Sequence, residues 1–167
     1  VGLREILGDG DAAASAFFSW AAGEGIAVQH ILYDRADLDR FALLHQRGDL
    51  GDVARPRLLF VLGRYAPDQE SRAGDLDAFL HGLRRHRLDA SAVWSVCAFG
   101  RGETAALAAA IALGGHVRVG FENSLWHADG RIARDNAERV AAIAGLAREA
   151  GRPLASGPQA RAILGMP

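Results

Sequence analysis

The sequence predicts an α/β fold of repeated strand–helix units, and three observations carry that prediction. Short apolar runs alternate with longer helical stretches through five units, each about thirty residues long, the cadence of a (β/α)8 barrel. The run RLLFVLG at residues 57–63 is apolar on both faces, as a strand inside a helix-covered parallel sheet must be. The stretch 114–124 (GGHVRVGFENS) instead puts His116, Arg118, Gly120 and Glu122 on one face and Val117, Val119 and Phe121 on the other. A closed barrel accommodates that division, with the polar set turned to the lumen and the apolar set to the helices. Two architectures share the alternation: a doubly wound five-stranded sheet, and the C-terminal five units of an eight-unit barrel. Periodicity alone favours the open sheet, whereas the polar face of the fifth strand favours the barrel.

Taken in order, residues 1–7 (VGLREIL) read as a strand end with Arg4 and Glu5 at its tip, stopped by Gly8-Asp9-Gly10. Asp11 is placed as N-cap of a helix through Phe17, Phe18 and Trp20 that closes at Gly23 and Gly25. Residues 26–33 (IAVQHILY) form the second strand, followed by Asp34 and a helix from about residue 37 to Gly48. The third strand, 57–63, leaves through Arg64-Tyr65-Ala66-Pro67 into a helix over residues 75–85. Residues 93–99 (VWSVCAF) make the fourth strand, and Gly100-Arg101-Gly102 turns it into an Ala-rich helix over 103–113. After the fifth strand, Ala133, Ala137, Val140, Ala144 and Ala147 mark an apolar stripe on a helix ending at Gly151-Arg152-Pro153. Ser156-Gly157-Pro158 starts a short closing helix, with Pro where the first turn tolerates it.

The 167 residues suffice for one domain with a sizeable core, read as a single domain over 1–167. A net charge of -1 gives no long-range pull toward nucleic acid or an anionic membrane, and no run approaches the roughly 18 apolar residues of a membrane span. All 19 basic residues are Arg, which biased composition explains most simply. The single Cys97 cannot form an internal disulfide, which fits a reducing cytoplasm. The chain opens on Val1 without an initiator Met, so it is expected to be a processed product, an excised piece or one part of something longer.

Residues 114–122 (GGHVRVGFE), Asp135-Asn136-Ala137 and the tail 156–165 (SGPQARAILG) resemble the C-terminal end of the β-keto acid cleavage enzymes. Looser similarity reaches back through Trp94-Ser95, Gly100-Arg101, Val61-Leu62-Gly63 and Tyr33-Asp34. The resemblance implies a zinc-dependent (β/α)8 barrel, here its C-terminal five units. It implies an exchange between a β-keto acid and acetyl-CoA that yields acetoacetate and a new acyl-CoA. In that family a pair of His spaced H-x-H and a Glu ending the last strand hold the metal, and Glu122 matches the Glu. None of His30, His45, His81, His86, His116 and His127 has H-x-H spacing, so either the pair lies in three preceding units, which is the favoured expectation, or the protein has lost its metal. The family's Asp after the metal Glu is replaced by Asn123, which takes no proton at neutral pH but can orient substrate by hydrogen bonds.

On this reading Glu122 is the metal ligand and Arg118 clamps the substrate carboxylate or orients its neighbour, a task suited to the guanidinium fork. The bland alternative for both is a salt bridge filling the barrel lumen. Arg101 and Gly102, in a glycine turn feeding a helix N-terminus, form a candidate seat for a phosphate or the acyl end of CoA, and Arg64 after Gly63 is a weaker one. A plain βα turn with a solvated Arg explains Arg101 equally well. His30 and His116 read as hydrogen-bonded core histidines and Cys97 as a small buried residue. Trp20, Trp94 and Trp126 read as core and interface bulk, and Arg84-Arg85-His86-Arg87 as a solvated helix end. The expected protein is a cytoplasmic homo-oligomeric enzyme acting on small molecules. The competing class is a non-catalytic barrel relative serving as a binding or assembly module.

Overall fold

The computed structural model describes residues 11–51 and 53–166. The strand end at residues 1–7 and the side chain of Asp11 lie outside the described set. In chain order the elements are α1 (Asp11–Gly23), β1 (Gln29–Leu32), α2 (Arg35–Gln46), β2 (Arg57–Leu62), a 3-10 turn (Ala73–Asp75), α3 (Leu76–Arg85), β3 (Val93–Ala98), α4 (Glu103–Ala112), β4 (His116–Val117), α5 (Asn136–Glu149) and α6 (Gly157–Leu164). The strands lie in the order β1-β2-β3-β4, and β3 pairs with β4 in parallel, Ser95 opposite His116. A doubly wound sheet reverses its order at a switch point, and here each strand lies beside the next in sequence. That is the winding of a barrel wall.

Local chemistry sets the helix starts. Asp34 caps α2 by accepting the Asp37 N–H at 2.9 Å, so the helix begins two residues before the position the sequence suggests. Asp135 caps α5 through the Glu138 N–H at 2.8 Å. Ser156 and Gln159 form a capping box on α6, which ends on Gly165 in the left-handed region at φ 59.

The chain divides into two compact units. One holds α1, β1, α2, most of α3, and α6. Its buried core includes Phe18, Leu32, Leu38, Phe41, Leu58 and Leu83. His30 is buried between the rings of Phe18 and Phe41, at 5.2 and 4.9 Å. Burial there pulls its imidazole down to about 4, and its Nδ1 has no hydrogen-bond partner among the described residues. It is therefore interior, as expected, but not fully bonded. Trp20 is 54% exposed rather than core bulk. His86 bonds Asp39 at 2.6 Å beside the exposed Arg84, Arg85 and Arg87.

The second unit holds the end of β2, the 3-10 turn, nearly all of β3, and α4, β4 and α5. Phe60, Leu62, Leu76, Val96, Cys97, Leu107, Ile111 and Ile143 form its core. Cys97 is buried, and that burial pushes its thiol up to about 11.

Two sequence expectations change here. The strand expected over 114–124 is regular only at His116–Val117. The Arg118 N–H still reaches Val96 O at 2.8 Å, but Gly120 then opens a turn whose carbonyl accepts from Asn123 and Ser124 at 2.9 and 3.2 Å. Glu122 therefore stands on a turn, beyond the reach of the period-two face. On α5 the stripe is displaced: Ala137 and Val140 are exposed, and the buried residues are Arg139, Ile143 and Ala144. The cause is an internal ion pair, because Arg139 bonds Glu103 with both side chains fully buried. A charge thus takes a position that pattern reading reserves for apolar residues.

Candidate functional site

The strands of this unit end in three turns that bear on one another. Ser71 in the loop after β2 donates its N–H to Phe99 O at 2.9 Å, and the Gly100 N–H after β3 reaches Asn123 O at 3.3 Å. The Glu70 carboxylate accepts the N–H groups of Arg101 and Gly102 at 2.6 and 3.3 Å. The amides at the N-terminus of α4 thus already hold a carboxylate of the chain itself. Two glycines make this possible. A Cβ on Gly100, at φ 79, would lie 2.4 Å from Glu70 Oε2, and one on Gly102 would lie 1.8 Å from Ser71 O. Gln69 pays for the loop's course with a left-handed φ of 51.

At the end of β4, the Arg118 guanidinium meets Glu122 Oε1 at 3.4 Å, with the side chains 44% and 75% exposed. The pairing expected from their spacing exists, on an open rim rather than inside a packed lumen. Asn123 is buried, and its Nδ2 has no hydrogen-bond partner among the described residues. His116 is half-buried, and burial, then the charge of Arg152, lowers its imidazole below the usual value. Arg64 is exposed, its guanidinium 5.3 Å from the Phe99 ring centre.

The chain from β4 to α5 makes a small hairpin, Trp126 bridging Ile132 in antiparallel fashion. Its residues form a charged assembly that sequence reading missed. Arg101 lies over the Trp126 ring at 3.6 Å. Behind it, Arg139 bonds Glu103 Oε2 at 2.5 Å, Thr104 Oγ1 at 3.2 Å and His127 Nδ1 at 3.3 Å. Glu138 takes Arg131 at 2.8 Å and the Arg134 backbone N–H at 2.8 Å. Those bonds hold its carboxyl down at about 2. No local motif announces these partners, because Arg139 and Glu103 are 36 residues apart in sequence.

Among the described residues no three His, Cys, Asp or Glu side chains converge to hold a metal ion. Glu122 offers one exposed carboxylate beside Arg118 and does not by itself make a metal centre. No helix of the described residues is long and apolar enough to cross a membrane.

The model of the beta-keto acid cleavage enzyme family matches residues 4–166. The chain is 32% identical over 143 residues to a 3-keto-5-aminohexanoate cleavage enzyme of Fusobacterium nucleatum, covering 85% of this chain and 48% of the relative. The enzyme of the same name from Acetoanaerobium sticklandii is 45% identical over 73 residues, 44% of this chain and 27% of its own length. A 3-oxoadipate:acetyl-CoA acetyltransferase of Cupriavidus necator is 38% identical over 89 residues, 53% of this chain and 31% of the relative. The chain thus spans half or less of the length of these curated relatives. The apo structure of ObcA superposes with a TM-score of 0.63 at 18% identity, over 96% of this chain and 40% of that one. The fold is that of a partial (β/α)8 barrel.

Proposed function

Since the chain belongs to the β-keto acid cleavage enzyme family, we propose that it carries part of a site exchanging an acyl group between a β-keto acid and acetyl-CoA. The reaction moves the carboxymethyl unit of the keto acid from its own acyl carbon to the acetyl carbon. A carbon–carbon bond breaks and another forms, and the displaced acyl group takes the CoA sulfur, so acetoacetate and a new thioester leave. The observation that carries this reading is the Arg118–Glu122 pair at the exposed rim of β4, in a chain matched by the family over 4–166. The name of the Cupriavidus necator relative supports acetyl-CoA as co-substrate.

Arg118 grips the carboxylate of the keto acid by charge-assisted hydrogen bonds. Asn123 orients the substrate through its unpartnered amide and transfers no proton. Glu122 would supply one carboxylate to a zinc site completed by other ligands, and the chemistry gained there would be Lewis-acid polarisation of the keto oxygen. Arg101 and Arg64 offer positive charge to CoA at the neighbouring turns. Gly102 contributes its missing side chain, which lets the loop at Ser71 close on that turn. The same reading makes the assembled protein a cytoplasmic homo-oligomer.

The test incubates the full-length gene product with acetyl-CoA and either 3-keto-5-aminohexanoate or 3-oxoadipate, and measures acetoacetate. Release that needs both substrates, with kcat/KM reduced about ten- to a hundredfold by Arg118→Ala, supports the assignment. One observation favours a second reading, a non-catalytic relative acting as a binding module: Asn123 stands where the family resemblance gives Asp. Zinc-loaded protein that binds CoA but forms no acetoacetate from any β-keto acid decides for that alternative.

A further inference from the structure

The turn between β3 and α4 presents a cation in a fixed pose. The Arg101 guanidinium stacks at 3.6 Å on Trp126, an arrangement that covers its face and leaves its in-plane N–H donors at the edge. Among the described residues no oxygen accepts from those donors, whereas Arg118, Arg131, Arg134 and Arg139 are each paired with a carboxylate. The backbone beneath is held as well. Glu70 binds the Arg101 N–H at 2.6 Å, and Gly102 lies too close to Ser71 O for any side chain.

We propose that Arg101 is an oxyanion receptor of the site and that Trp126 is the positioning residue that aims it. A guanidinium pinned at its backbone and stacked on one face has lost most of the freedom that binding would otherwise cost, so its edge is ready for a bidentate oxyanion. Because Glu70 already fills the amides of the α4 N-terminus, an incoming anion is met by the side chain of Arg101 and not by that helix end. The turn hydrogen-bonds the Asn123 carbonyl through Gly100, which places this receptor beside the rim that bears Glu122. The inference rests on the cleavage reading for the source of the oxyanion: a phosphate of CoA, or a second carboxylate carried by the keto acid.

Binding of paired probes to the full-length protein, read by calorimetry without turnover, tests it. The pairs are CoA against 3′-dephospho-CoA, and 3-oxoadipate against 3-oxohexanoate. Arg101→Ala is expected to weaken one oxyanion-bearing probe about tenfold and to leave its counterpart unchanged, and the affected pair names the source. Trp126→Leu is expected to weaken the same probe about threefold in the Arg101 background and not at all in Arg101→Ala, with Trp126→Phe restoring most of the affinity. Losses that simply add in the double variant, equal losses for both members of each pair, or no binding of any probe overturn the proposal. Paired discrimination without acetoacetate formation would defeat the cleavage reading alone, and turnover without discrimination would defeat this inference alone.

Discussion

Glu103→Ala is expected to destabilise the protein far more than removal of both members of its ion pair. Glu103 and Arg139 have fully buried side chains, and their closest atoms are 2.5 Å apart. At an effective dielectric of about 20 that separation corresponds to roughly 7 kcal/mol of attraction. Desolvation of two ions, at several kcal/mol each, consumes most of it, so the pair is close to neutral while intact. Removing Glu103 alone leaves Arg139 buried with, among the described residues, only Thr104 and His127 as partners, which costs about 3–5 kcal/mol. Replacing both, as Glu103→Leu with Arg139→Met, is expected to fall within about 2 kcal/mol of the wild type on either side. Urea unfolding of the three proteins measures this from the midpoint at constant slope. A single variant as stable as the double would refute the reasoning, because it would mean that removing Glu103 does not leave the Arg139 charge uncompensated.

Further outcomes follow from individual residues. Glu122→Ala in the full-length protein is expected to lose bound zinc, measured by elemental analysis, and stoichiometric metal in that variant counts against its ligand role. His30, lowered from 6.5 to about 4 by burial, binds fewer protons folded than unfolded between those values. Its contribution is whole above pH about 6.5 and falls as pH drops toward about 4, by roughly 3 kcal/mol in total; His30→Phe should flatten stability over that window. Glu138, held at about 2 by the Arg134 backbone and Arg131, contributes stability above its ordinary carboxylate range that is lost as pH falls toward 2. The melting-temperature gap to Glu138→Gln should therefore close in acid and stay constant near neutrality. Gly102→Ala, whose Cβ would overlap Ser71 O, is expected to cost about 1–3 kcal/mol and to loosen the turn that carries Arg101.

What the sequence made legible is what depends on near neighbours. Strands β2 and β3 fall within a residue of expectation because a segment apolar on both faces has few alternatives to a covered parallel strand. Ser156 and Pro158 mark the start of α6 by chemistry contained in one helix turn. The stretch after β4 was harder to read: its alternation continues in the letters through Glu122, but a turn at Gly120 ends the ladder after Arg118. Arg118 and Glu122 remain together all the same, across four residues of turn instead of along a strand. Glu70, Trp126 and Arg139 carried no signal because their partners lie far away in sequence, Glu70 reaching across 31 residues to the Arg101 amide. Trp126 in particular looks like core bulk until the residue above it is known to be a cation. Contact between remote turns is a property of the winding, and local pattern does not encode it.

Carbon tracing tests the proposed chemistry most directly. The full-length protein is supplied with acetyl-CoA labelled with 13C at its carbonyl and with an unlabelled β-keto acid, and the products are read by NMR. The account predicts label at the keto carbon of acetoacetate, none at its carboxylate, and an unlabelled new acyl-CoA. Label released as free acetate, or left wholly in acetyl-CoA while the keto acid is consumed, would contradict it.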